Sequence, residues 1–232
     1  MAIHQWLSRA PIVEAVVQLE VVLSDPDHIP RARALEALPA RLAERYPRVT
    51  QRLEATPRDH TESYRFSGDA RYVVQASVDG MSCARLAPYG GFGPLVGEAL
   101  WAWEHYLEIA GPIRLSRLAV RFQNRFEVPL PLQLDRLFLT GPRVASSLPQ
   151  RVGAMECRIS LQHDADTQSL LTQRIEEATD GHARVGFDLE VQRTVDLSCD
   201  SHRIWQGLGE LASIEHHVFF ESVTDEALAP YV

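Results

Sequence analysis

Between Leu115 and Val128 the chain alternates with a period of two. The even positions are Ser116, Leu118, Val120, Phe122, Asn124, Phe126 and Val128. The odd positions are Arg117, Ala119, Arg121, Gln123, Arg125 and Glu127. Successive side chains of a strand point to opposite faces, so one face here is apolar and the other charged. A strand of this length, greasy on one side only, needs a large sheet covered on one side. That requirement excludes an all-helical chain and a sheet wrapped on both faces.

The rest of the pattern supplies the sheet and its cover. Ile12 to Leu23 alternates in the same way, with Val13, Ala15, Val17, Leu19 and Val21 on one face. The stretch 49–87 holds several strand-like runs separated by turn residues, among them Ser67-Gly68-Asp69 and Asp79-Gly80. Three more runs follow at 152–163, 169–177 and 183–195. Short turns between runs dictate antiparallel neighbours. Helical spacing marks three main helices. The first covers about 30–46, with Pro39 expected to kink or split it. The second covers 95–109, and the third covers 202–222 with Ser201 as its cap. Thr224 reads as the cap of a short last turn.

The expected fold is therefore α+β: a large, mainly antiparallel sheet with three main helices packed on one face. Residues 1–232 read as one domain. Each of two internal halves, 1–128 and 150–232, reads as strands closed by one long helix, with no sequence repeat strong enough to mark a duplication. A proline-rich connector, 129–149, joins them and holds a short helix near Leu134 to Leu137.

Composition removes whole chemistries. All 23 basic residues are arginine, and no lysine occurs in 232 residues. A P-loop lysine, a Schiff-base lysine and a Ser–Lys pair are thereby excluded. The net charge of −8 argues against nucleic acid as a partner. The three cysteines, Cys83, Cys157 and Cys199, form no paired motif and suit reduced thiols in a cytoplasm. No signal peptide and no membrane span are expected, so the expected location is cytoplasmic.

Four groups of residues stand out. Asn124 is the only asparagine and sits among bulky apolar neighbours. A buried amide either orients a ligand or satisfies local backbone. Arg117, Arg121 and Arg125 line up on the other face over about 26 Å. Such a stripe suits an anionic ligand, or cross-strand pairing with Glu14, Glu20, Asp188 and Glu190. Trp101, beside His105, falls off the apolar stripe of its helix and marks either a partner interface or a covered ring. His217 and Glu221 are one helical turn apart, a weak two-ligand metal spacing with no third ligand in view. His163-Asp164-Ala165-Asp166 reads as turn chemistry. Gly90, Gly91 and Gly93 precede a helix but match no phosphate-binding motif. No catalytic set, metal centre or cofactor is expected.

Several blocks together carry a resemblance. They are Ala10-Pro11-Ile12-Val13-Glu14-Ala15, Tyr64-Arg65-Phe66-Ser67, and Arg117 through Asn124. Later come Gly186-Phe187-Asp188-Leu189-Glu190 and His217 through Asp225. In this order the chain resembles a sporadically distributed family of bacterial proteins that is functionally uncharacterised. The resemblance spans nearly the whole chain and implies one full-length architecture. It brings no catalytic residues. Sporadic distribution implies an accessory role, in mobile elements, phage conflict or specialised biosynthesis.

Two functional readings follow. The first is a non-catalytic module that binds a protein partner and forms a homodimer, using the surface around Trp101. The second is a small-molecule binder or enzyme acting on an anionic ligand through Asn124 and the arginine stripe. A regular strand cannot point both to one side, so the geometry of that strand separates the two.

Overall fold

The computed structural model describes residues 7–22, 28–55, 60–69, 71–111, 113–145, 147–149, 152–179, 181–198 and 200–232. Cys199 and Leu23 lie outside them. The chain runs β1 (Ile12–Val21), α1 (His28–Leu35), α2 (Leu38–Leu42), β2 (Arg48–Ala55), β3 (His60–Ser67), β4 (Tyr72–Ser77) and β5 (Gly80–Leu86). It continues through α3 (Phe92–Ala110), β6 (Arg114–Pro129), α4 (Leu134–Leu137), β7 (Glu156–Gln162), β8 (Thr167–Thr179) and β9 (His182–Ser198). Helices α5 (Ser201–Ser222) and α6 (Asp225–Leu228) follow, and the turn Ala229–Tyr231 comes last.

All nine strands form one antiparallel sheet in the order β2-β3-β4-β5-β1-β6-β9-β8-β7. The order repeats outward from the centre. In one unit β1 leads, and the meander β2 to β5 returns to lie beside it before α3. In the other β6 leads, and β7 to β9 return beside it before α5. The β1–β6 pairing joins the units. The repeat thus divides the chain between α3 and β6, and the proline-rich stretch 129–149 lies inside the second unit. Proline there marks a crossover connection, because it cannot donate to a ladder.

Alternation decides which faces are buried. Ala15, Val17, Leu19 and Val21 of β1 are buried, as are Leu118, Val120, Phe122, Phe126 and Val128 of β6. Ser116 does not join them. A register shift between Leu115 and Arg117 turns Leu115 into the core instead. A bulge inserts one residue and so inverts the alternation beyond it.

Helix α3 lays Leu95, Val96, Ala99, Ala102, Trp103 and Tyr106 on the sheet. Trp103 and Tyr106 stack at 5.0 Å, and the Tyr106 hydroxyl donates to the Ser77 carbonyl at 2.9 Å. Each such fully buried side chain contributes roughly 1.5–3 kcal/mol. Helix α5 buries Ile204, Leu208, Leu211 and Val218 over the second unit. Its N-cap is Asp200, whose side chain accepts from the Arg203 amide at 3.0 Å, so Ser201 is the first helical residue and not the cap. Thr224 does cap α6. The expected helix at 30–46 is split in two, with Pro39 in the first turn of α2, where its missing amide hydrogen costs nothing. No helix among the described residues is long and apolar enough to cross a membrane.

Candidate functional site

The two units meet over a cavity of about 560 Å³. Four pieces of chain wall it: residues 7–12 leading into β1, residues 89–92 leading into α3, the middle of β6, and the second half of α5. Ligand sites favour such junctions, where packed units leave concave space. Aromatic and aliphatic side chains dominate the lining, with Ile12, Phe92, Phe122, Phe219 and Phe220 prominent. A second hollow of about 150 Å³ lies under the C-terminus, with Arg136 and Glu226 at its lip, held together as an ion pair.

Five polar side chains, Ser8, Tyr89, Asn124, Glu215 and His216, interrupt the apolar wall. Asn124 is 3% exposed. Its amide nitrogen donates to the Phe187 carbonyl on β9 at 3.3 Å. The side chain also lines the cavity. Beside it β1 shifts register against β6 between Ile12 and Glu14, while the Pro11 carbonyl still accepts from the Arg125 amide at 2.9 Å. Glu215 projects from α5 and is 7% exposed. It has no hydrogen bond or ion pair among the described residues. Burial alone pushes its carboxyl up to about 8. Tyr89 closes the third side with its ring edge-on to Phe122 at 5.7 Å. Burial, then the nearby Glu215 charge, raises its phenol above the ordinary range.

Local sequence explains the frame. Gly91 stands at the start of α3 with φ of 102°, a conformation that side chains other than glycine's rarely adopt. Gly90 packs against the Arg85 guanidinium so closely that a Cβ there would lie 2.9 Å from it. The two glycines therefore shape a rim. His216, exposed, adds the edge of α5 and packs on Phe220 at 4.6 Å.

The arginine stripe lies on the opposite face of the sheet. Arg117 bonds Glu20, Glu190 and Gln192. Arg121 Nε donates to Asp188 at 2.8 Å, and Arg125 Nε donates to Glu176 at 2.7 Å. From Arg117 to Pro129 the pairing of β6 with β9 runs without a bulge. Asn124 and the three arginines are consequently not brought together, and no anion site joins them.

Trp101 is half-buried rather than outward. Tyr46 packs on it at 6.2 Å, and the Arg45 guanidinium covers its ring at 4.0 Å. His105 meets it edge-on at 4.7 Å. His217 and Glu221 are exposed on α5, and no group of three potential metal ligands occurs among the described residues. Asp164 accepts the Asp166 and Thr167 amides at 2.8 and 2.7 Å, which is turn chemistry. Cys83 is buried and Cys157 partly exposed, both as free thiols.

Sequence reasoning singled out Asn124 but missed Glu215 and Tyr89. A signal for Glu215 was present. Positions 204, 208, 211, 215, 218 and 222 follow helical spacing, and all six are buried. An acid on that stripe is a charge at a core position, which is costly without a purpose or a partner. Tyr89 carried no such signal, because it lies in an irregular loop. No protein-family model matches the chain, and no curated protein matches it either.

Proposed function

We propose that this chain is a small-molecule-binding module whose ligand occupies the cavity between α5, the start of α3 and the middle of β6. One observation carries the reading. Glu215 and Asn124, two polar side chains at buried positions, line the same aromatic-walled space. The cavity also falls within the usual volume of small-molecule sites, roughly 300–1,000 Å³.

This keeps one half of the second sequence reading, a ligand at Asn124, and drops the anion and its arginines. The partner-binding reading rested on the lack of a recognisable catalytic set, an outward Trp101 and long charged sheet faces; of these, Trp101 is partly covered by Arg45 and Tyr46.

The test is native mass spectrometry of protein purified gently from its own host. Ala212 lines the cavity from α5, so Ala212→Phe fills it without changing charge. The expected result is a small-molecule adduct on the native chain that is absent from Ala212→Phe. An adduct that persists in the filled variant overturns the proposal. The same spectra report any polypeptide partner or second copy.

A further inference from the structure

Resting on the reading of this cavity as a ligand site, we infer that its ligand is an organic cation, an amine or quaternary ammonium group on an apolar body. The ammonium sits between Glu215 and the aromatic walls, and the body fills the remaining space.

Glu215 is the buried acid of the cavity, set among the polar side chains of Asn124, Tyr89, Ser8 and His216. Glu215 offers a carboxylate, and Asn124 offers a carbonyl together with the second amide hydrogen that its bond to Phe187 leaves free. Both accept hydrogen bonds and both draw positive charge. Tyr89, Phe92, Phe122 and Phe220 add ring faces, which attract cations through their quadrupoles. Tyr89 lies edge-on to Phe122, so the two rings line adjoining sides of one corner.

The surrounding charges do not already neutralise Glu215. From the loop before α3 the titratable neighbour is Tyr89, and behind it stand Arg85 and Tyr72. The Arg85 guanidinium lies over the Tyr72 ring at 4.8 Å, its buried Nε has no hydrogen-bond partner among the described residues, and burial is the cause of the raised Glu215 carboxyl. On α5 itself the neighbour is His216 at the rim. The lining residues of β6, Phe122 and Asn124, do not titrate, nor do Leu7, Ser8, Ala10, Pro11 and Ile12 at the start of β1. A desolvated carboxyl without a cation stays protonated near neutrality, as burial makes this one do. A ligand bearing a fixed positive charge supplies the missing partner. An anionic ligand would instead meet two acceptors and the repulsion of a chain with net charge −8.

The experiment compares two probes by calorimetry, benzyltrimethylammonium and its neutral carbon isostere neopentylbenzene, from pH 6 to 9. At pH 9 the cation binds at least about tenfold more tightly than the hydrocarbon. Because the cation needs ionised Glu215, its affinity falls by up to about tenfold for each pH unit below 8, while the hydrocarbon shows no such fall. In Glu215→Gln the preference shrinks to less than about threefold and the slope with pH vanishes. Hydrocarbon binding retained in that variant shows that it is folded. Equal binding of both probes to the native chain, lost in Ala212→Phe, overturns the cation and leaves the cavity reading standing. Binding of neither probe overturns both. A cation preference that survives Glu215→Gln overturns the assignment to Glu215.

Discussion

Arg121 on β6 reaches Asp188 on β9 with two guanidinium nitrogens, on the sheet face opposite Asn124. The hydrogen bonds to Asp188 are also what hold the Arg121 guanidinium above its ordinary range. The pair is still partly exposed, so it contributes little: about 0.2–1 kcal/mol for such a surface ion pair. Asp188→Asn is expected to lower stability by no more than that, measured by urea unfolding. It should leave ligand binding in the cavity unchanged, because the sheet separates the two. A loss of binding in Asp188→Asn would show that the faces are coupled.

Glu215 sets a pH dependence of opposite sign to a salt-bridged acid. Its carboxyl titrates at about 8 in the folded chain, above its unfolded value near 4.3. Between those values the folded state holds a proton that the unfolded state releases. Stability therefore falls as pH rises from about 4 to about 8, then levels off. Glu215→Gln removes this slope. It should be more stable than the native chain by a few kcal/mol at pH 8, and close to it at pH 4. Parallel unfolding curves at the two pH values check the difference.

The cap of α5 separates two adjacent residues. Asp200 accepts the Arg203 amide, and its carboxyl is held below the usual range first by that bond. Asp200→Ala is expected to lower the thermal unfolding midpoint, whereas Ser201→Ala, inside the first turn, should leave it nearly unchanged. The reverse order would place the cap at Ser201.

Arg45 covers Trp101 and bonds Glu98 at 3.0 Å. Arg45→Ala should uncover the indole, giving a red-shifted tryptophan emission and a loss of about 0.5–1 kcal/mol. An unchanged spectrum would mean that Tyr46 and the sheet alone shield the ring.

How much of this was legible in the sequence depends on which physical rule governs each residue. The faces of β1 and β6 follow from alternation, and the antiparallel sheet follows from turn residues such as Asp79-Gly80. Pro39 splitting its helix follows from the missing amide hydrogen. Leu115 entering the core does not, because a bulge is a property of two paired strands and not of one. The arginine partners Glu20, Asp188 and Glu190 were readable from outward positions. Glu176 was not, since its strand register with β9 is set by long-range pairing. Asn124 announced itself by being alone. Glu215 was visible only as an acid on an apolar stripe, and Tyr89 only once the fold had carried it over Phe122.

The most direct measurement is a crystal structure of the chain grown with benzyltrimethylammonium at pH 9. The account predicts the probe in the cavity, its nitrogen against the Glu215 carboxylate and its methyl groups on the rings of Phe122 and Tyr89. A cavity left empty of the probe, or a probe lodged with its nitrogen turned away from Glu215, would contradict it.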